Sequence, residues 1–169
     1  MDATPRRERP HCRQRAAAAH HDEYGADKAQ ARIGHVGHPL LVPHLMMALA
    51  ATGRAAAAER FLDALRQLAA DTALWSAPSI RDAILPVCEA AWARRAGDHA
   101  RVVDLLMPRR EQIRLLGGSN AQRDLFHQML VDAAMQTGRR DIVREIVAEG
   151  WVVPCRPPIG QATPPRRAG

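Results

Sequence analysis

A chain of 169 residues, 47% of them hydrophobic, is long and apolar enough to bury one core. Aromatic residues make up only 4%, β-branched runs are scarce, and alanine, leucine and arginine dominate, which favours helix and disfavours sheet. The net charge of +6 does not argue for a nucleic-acid-binding domain, because residues 1–20 and 151–169 contribute +3 each while 21–150 balances 16 basic against 16 acidic side chains.

Residues 1–24 are polar, rich in arginine and histidine, and aperiodic apart from the alanine run 16–19; they read as a disordered basic arm. A short helix is expected from Gly25 to Arg32, with Gly34, Gly37 and Pro39 breaking the chain after it. His35, His38 and His44 are close enough to raise the question of a metal. Gly37 and Pro39 oppose the rigid helix that His-x-x-His needs, and no cysteine or carboxylate lies at ligand spacing, so no metal is expected and His44 reads as a helix-terminus or core histidine. Pro43 or His44 opens the first long helix, which stops at Gly53. A second runs from about Arg54 to Asp71, with Ala58, Phe61, Leu62, Leu65, Leu68 and Ala69 on one side and Glu59, Arg60, Asp63, Arg66 and Gln67 facing out. Asp63 with Gln67, and Glu59 with Asp63, read as solvated-face pairs.

Residues 72–79 form a connector, and Ser79 with Asp82 resembles a capping-box start. The helical pattern that follows reaches Gly97 but contains Pro86, which predicts a kink or break near Leu85. Trp92 is expected between helices. Asp98 should cap a helix running through Met107 and stopped by Pro108, and a further helical segment should start within Arg109 to Arg114 and end at Leu116. Arg109 and Arg110, beside Glu111, read as a solvated turn.

The most informative stretch is GGSNAQRDLFHQMLVDAAMQTG, residues 117–138. Two glycines break the chain, Ser119 is an N-cap, and Gln122 completes a capping box. Leu125, Met129, Leu130, Ala133 and Ala134 form a stripe at helical spacing, and Gly138 stops the helix. Asp141 to Glu149 forms a shorter second helix. Trp151, Val152 and Val153 are expected to fold back on it, and disorder is expected from Arg156. The resulting division is a disordered basic arm over 1–24, a helical-repeat domain over 25–153 and a disordered Pro/Arg tail over 154–169.

Gly53, Gly97 and Gly138 align three segments, each a helix end, a glycine, a polar turn and an amphipathic helix. The glycines are 44 and 41 residues apart, and the fifth residue after each is Ala58, Val102 or Val143, small enough for close helix packing. The spacing exceeds the tetratricopeptide period of about 34 and falls within the range of about 40–47 for HEAT-type repeats. It fits either that class or a tetratricopeptide array with inserted connectors. The expected fold is all-α, with about six helices in antiparallel hairpins stacked as a short α-solenoid.

The phrase GGSNAQRDLFHQMLVDAAMQTGR, residues 117–139, resembles the C-terminal signature of the tetratricopeptide repeat protein 38-like family. Segments 44–54 (HLMMALAATGR), 85–110 (LPVCEAAWARRAGDHARVVDLLMPRR) and 26–34 (ADKAQARIG) resemble the same family in the same order. The likeness covers roughly residues 26–150, matching only the C-terminal part of longer proteins, which implies a truncated copy. It implies a TPR-like solenoid and supplies no catalytic residues to carry over.

Gly117-Gly118-Ser119-Asn120-Ala121 can be read as a nucleophile elbow with Asp124 and His127 as partners. An elbow needs a preceding strand and partners delivered by distant loops; here they lie on one helix, and N-capping accounts for Ser119. No enzyme activity and no cofactor are expected. Arg123, Asp124 and His127 are candidate protein contacts, since the first helix of a tetratricopeptide hairpin lines the peptide groove, while Ser119, Gln122, Gly53, Gly97 and Gly138 are structural caps. The expected partner is a protein or peptide. The alternatives are a nucleic-acid-associated protein using its basic termini and a truncated product without a role of its own. Self-association is expected if an uncapped N-terminal repeat exposes Leu40, Leu41 and Met46.

Of 24 basic residues only Lys28 is lysine, a skew that reads as coding bias more than anion binding. Cys12, Cys88 and Cys155 form no metal or redox spacing, and no apolar run suits a signal peptide or a membrane span, so a cytoplasmic location is expected.

Overall fold

The computed structural model describes residues 22–34 and 37–150. The arm over 1–21, the fold-back of Trp151 to Val153, the tail 154–169, Cys12, Cys155 and His35 lie outside the described residues. Within them all regular structure is helical. In chain order there are α1 (22–31), α2 (Leu41–Ala51), α3 (Ala55–Ala70), α4 (Ala77–Ser79), a π-helical turn (Ile80–Ile84), α5 (Leu85–Arg95), α6 (His99–Leu106), a 3₁₀ segment (Met107–Leu116), α7 (Asn120–Gln136) and α8 (Arg140–Ala148).

Three hairpins, α2–α3, α5–α6 and α7–α8, are joined by the same turn. Gly53, Gly97 and Gly138 have φ of +69°, +77° and +73°, a conformation open to glycine and costly for other residues. The next residue's N–H reaches back five residues: Arg54 to the Leu49 carbonyl at 3.1 Å, Asp98 to Ala93 at 3.0 Å and Arg139 to Ala134 at 2.8 Å. That is the long bond of a Schellman stop. Those same residues, at φ/ψ of −78°/65°, −81°/73° and −79°/67°, form an inverse γ-turn that starts the next helix at once. The repeat is therefore identical at the level of backbone bonds. Packing follows chain order: α2 lies on α3 and α5, α3 on α5, α5 on α6, α6 on α7 and α7 on α8. One continuous core runs through all three hairpins.

Pro86 does not break its helix. The N–H of Leu85 bonds to the Ile80 carbonyl, a π-type step, so the turn widens just before the proline. Widening relieves the ring's clash with the preceding turn and absorbs the missing donor, while Ile80, Ala83 and Ile84 stay buried. Ser79 lies within this helical run and makes no side-chain cap bond there; the run begins at Ala77, contrary to the expected start.

Asp98 caps α6 as expected, accepting from the Arg101 N–H at 2.9 Å. Helix α6 ends at Leu106, and Pro108 is not a stop as expected but lies in the first turn of the 3₁₀ helix that follows, whose period of three puts Arg110, Ile113 and Leu116 on one edge. Ile113 and Leu116 are fully buried. The Arg110 guanidinium bonds to Glu145 at 2.9 Å and to Glu149 at 2.7 Å on α8, so this residue is an inter-element tie and not the expected solvated turn.

Helix α1 begins at residue 22, so residues 22–24 belong to the folded part and not to the arm. It docks through small residues. Ala26 and Ala29 are fully buried, and a Cβ on Gly25 would lie 3.0 Å from that of Ala48 in α2. Arg54 bonds back to Glu23 and Asp27, both at 2.6 Å. The apolar surface expected to lie open is largely closed: Leu40 is 6% and Met46 0% exposed, leaving Leu41 at 39%.

Candidate interaction groove

Helix α7 starts from a loop whose backbone favours glycine. Gly117 and Gly118 both have positive φ, and a Cβ on Gly118 would stand 2.5 Å from Leu40 Cδ2. The capping box is formed: the Ser119 hydroxyl accepts from the Gln122 N–H at 3.3 Å, and Gln122 Oε1 accepts from the Ser119 N–H at 2.9 Å.

Of the three candidate contacts, Arg123, Asp124 and His127, only Arg123 organises this start. Arg123 donates to the carbonyls of Gly117 at 3.0 Å and Gly118 at 2.5 Å, and to Asn120 Oδ1. Asp124 accepts from Gln128 Nε2 at 2.5 Å. His127 is 3% exposed and its Nε2 donates to the Arg110 carbonyl at 3.3 Å. Burial lowers its pKa below the ordinary histidine value, outweighing the backbone hydrogen bonds that raise it. The expectation of a surface contact is thus corrected for His127, and Arg123 is spent on its own loop. Of the expected stripe, Met129, Leu130, Ala133 and Ala134 are buried, but Leu125 is 37% exposed and Phe126 is buried in its place, its ring edge-on to His44 with centroids 5.5 Å apart. One residue is 100° of helix, and α7 is covered by α6, the 3₁₀ segment and α8 together, so a single stripe does not describe it.

Arg123 and His127 line a concavity of about 250 Å³ with Asn120, Glu149 and Gly150, and another lies across the first helix of each hairpin. Met47, Ala50 and Ala51 of α2, Ala91 and Arg94 of α5, and Met129 and Asp132 of α7 surround a depression of about 370 Å³. A second, of about 200 Å³, continues it past Leu125 and Gln128 and shares Met47, Arg94, Met129 and Asp132. The floor is apolar and the rim is charged. Arg94 pairs with Asp132 at 3.0 Å, tying α5 to α7. Arg95 donates its Nε to the Ala50 carbonyl at 2.9 Å, which leaves its terminal N–H groups without a bond among the described residues. His99 Nδ1, at the same rim, is buried and has no hydrogen-bond partner among those residues.

This arrangement can seat an apolar side chain between the two methionines and offer donors to a carbonyl or carboxylate beside it. The sequence did carry a signal for it. Met47, Ala91 and Asp132 each stand six positions before a turn glycine, so the repeat register alone would have brought them together.

Elsewhere His38 and His44 serve the start of α2: His38 Nδ1 accepts from the Leu40 N–H at 3.3 Å, and His44 Nδ1 donates to the Leu40 carbonyl at 2.8 Å. Cys88 is fully buried, and burial pushes its thiol pKa up, away from reactivity. Among the described residues no group of three His, Cys, Asp or Glu side chains is placed to hold a metal, and no helix is long and apolar enough to cross a membrane. No protein-family model matches the chain, and no solved structure matches it.

Proposed function

We propose that the chain is a short tetratricopeptide-like α-solenoid acting as a non-enzymatic interaction scaffold, with an extended peptide held in the groove over α2, α5 and α7. The observation that supports this is the repeated hairpin: three copies of one turn, with the first helix of each lining one continuous depression. Stacked repeats present such a surface without moving, so the mechanism is shape presentation by a pre-formed groove. The resemblance of residues 26–150 to the tetratricopeptide repeat protein 38-like family points the same way. Met47 and Met129 supply adaptable apolar contact, and Arg95 supplies donors for an acidic or carbonyl group.

Selection of a random peptide library against the full chain tests the reading. Binders should carry an apolar residue next to an acidic one. Met47→Glu should weaken them about tenfold or more, the scale of a buried anchor, and Arg123→Ala should leave them unchanged. Binders indifferent to Met47→Glu, or no binders at all, would contradict it.

A further inference from the structure

The middle helix of the groove is cut back. Met47, Ala91 and Asp132 hold the same register position in the three hairpins, so between two larger side chains α5 carries a single methyl group. Ala50 and Ala51 of α2 extend the recess. The depression of about 370 Å³ therefore has small side chains on its floor, with Met47, Met129, Arg94 and Arg95 around it. Its neighbour of about 200 Å³ is bounded instead by Leu125, Phe126 and Gln128.

The walls select among apolar occupants. A thioether is polarizable and makes favourable contacts with aromatic rings, and a guanidinium is attracted to the negative face of a ring. Arg94 directs Nε and Nη2 at one oxygen of Asp132, at 3.4 Å and 3.0 Å. It pairs through its edge, and the pair leaves the flat faces of the guanidinium for stacking. Charge adds a second requirement. The ionised side chains lining the depression are Arg94, Arg95 and Asp132, with His99 as a further titratable group at the rim. Arg94 is matched by Asp132, whereas Arg95 bonds to the Ala50 carbonyl and makes no ion pair among the described residues. The surplus is one positive charge, which complements an anionic group.

We propose that this depression takes an aromatic side chain flanked by a carboxylate, the ring over Ala91 between Met47 and Met129 and the carboxylate on Arg95. The proposal rests on the groove being the peptide site and names the anchor it selects. An aliphatic anchor would bury area in the same recess but forgo the sulfur and guanidinium contacts.

Acetylated, amidated tripeptides Asp-Trp-Asp, Asp-Leu-Asp and Asn-Trp-Asn, titrated into the full chain and followed by NMR at the methionine methyl signals, test it. Their symmetric flanks serve either chain direction. Asp-Trp-Asp should shift the Met47 and Met129 methyls and bind about tenfold more tightly than Asp-Leu-Asp, the combined scale of the ring contacts. Asn-Trp-Asn should bind several-fold more weakly than Asp-Trp-Asp. Ala91→Met, which places the residue of the first hairpin in the recess, should remove the advantage of the ring while the circular-dichroism melt stays cooperative. Equal affinities for the tryptophan and leucine peptides at those methyls, or a ring preference that survives Ala91→Met, would overturn the proposal and leave the groove standing. Methyl signals unmoved by all three peptides would contradict the groove and the proposal with it. Movement of the same signals on concentrating the chain alone would assign the depression to a second copy and overturn the proposal equally.

Discussion

At Gly118 one added methyl group meets two obstacles. The backbone sits at φ +71°, and the new Cβ would lie 2.5 Å from Leu40 Cδ2 and 2.9 Å from Gln122 Oε1. Strain of this kind costs about 1–3 kcal/mol, and overpacking adds to it. Gly118→Ala should therefore lower stability by about 2–3 kcal/mol in urea denaturation, and a loss below about 0.5 kcal/mol would contradict the geometry. His127 makes a prediction about pH. Its pKa is lower folded than unfolded, mainly through burial, so the unfolded chain binds more protons as pH falls past the ordinary value of about 6.5. Its contribution is fully present above that value and is lost as pH drops toward the folded-state pKa. The urea midpoint should fall from pH 7 to pH 5, and His127→Leu should flatten that fall; an equal slope in the variant would show that His127 is not the group responsible. Local chemistry was legible at this scale. Ser119, Gln122, Asp98 and the turn glycines act through bonds a few residues long, which spacing alone reveals. Arg123, Asp124 and His127 were legible as polar positions, but the partner of His127 was not, because the Arg110 carbonyl lies outside its helix.

Among the elements, α1 shows which of two contacts decides docking. Arg54 bridges to Glu23 and Asp27, but all three are solvent-accessible, and exposed pairs contribute little. Ala26 and Ala29 are fully buried. Ala29→Glu would place an unpaired charge in that contact, so it should abolish exchange protection throughout α1, while Arg54→Ala should leave most of it. The reverse order would mean that the ion pairs hold the helix. Helices α3, α6 and α8 were readable because each has one wet face and one dry face. The π-turn before Pro86 and the 3₁₀ segment were not. Pro86 announces a local problem without saying how it is solved, and the 3₁₀ period becomes favourable only because Ile113 and Leu116 find the core and Arg110 finds Glu145 and Glu149.

Across the whole molecule, arginines lace one layer to the next. Arg54 joins α1 to the start of α3, Arg66 reaches Glu89 on α5 at 2.8 Å, Arg94 reaches Asp132 on α7, and Arg110 reaches α8. The arginine excess that reads as coding bias in the sequence includes these ties, and the planar guanidinium suits them better than lysine. They were invisible in the sequence because their partners lie 23 to 39 residues away. The groove belongs to no single helix, and its trace in the sequence was the repeat register that sets Met47, Ala91 and Asp132 each six positions before a turn glycine. Backbone amide NMR of the full chain, titrated with a library-selected peptide, tests that central claim most directly. Shift changes should concentrate at Met47, Arg95, Met129 and Asp132 and bypass α8. Changes confined to α8, the 3₁₀ segment or residues 1–21 would place the interaction elsewhere and contradict the groove.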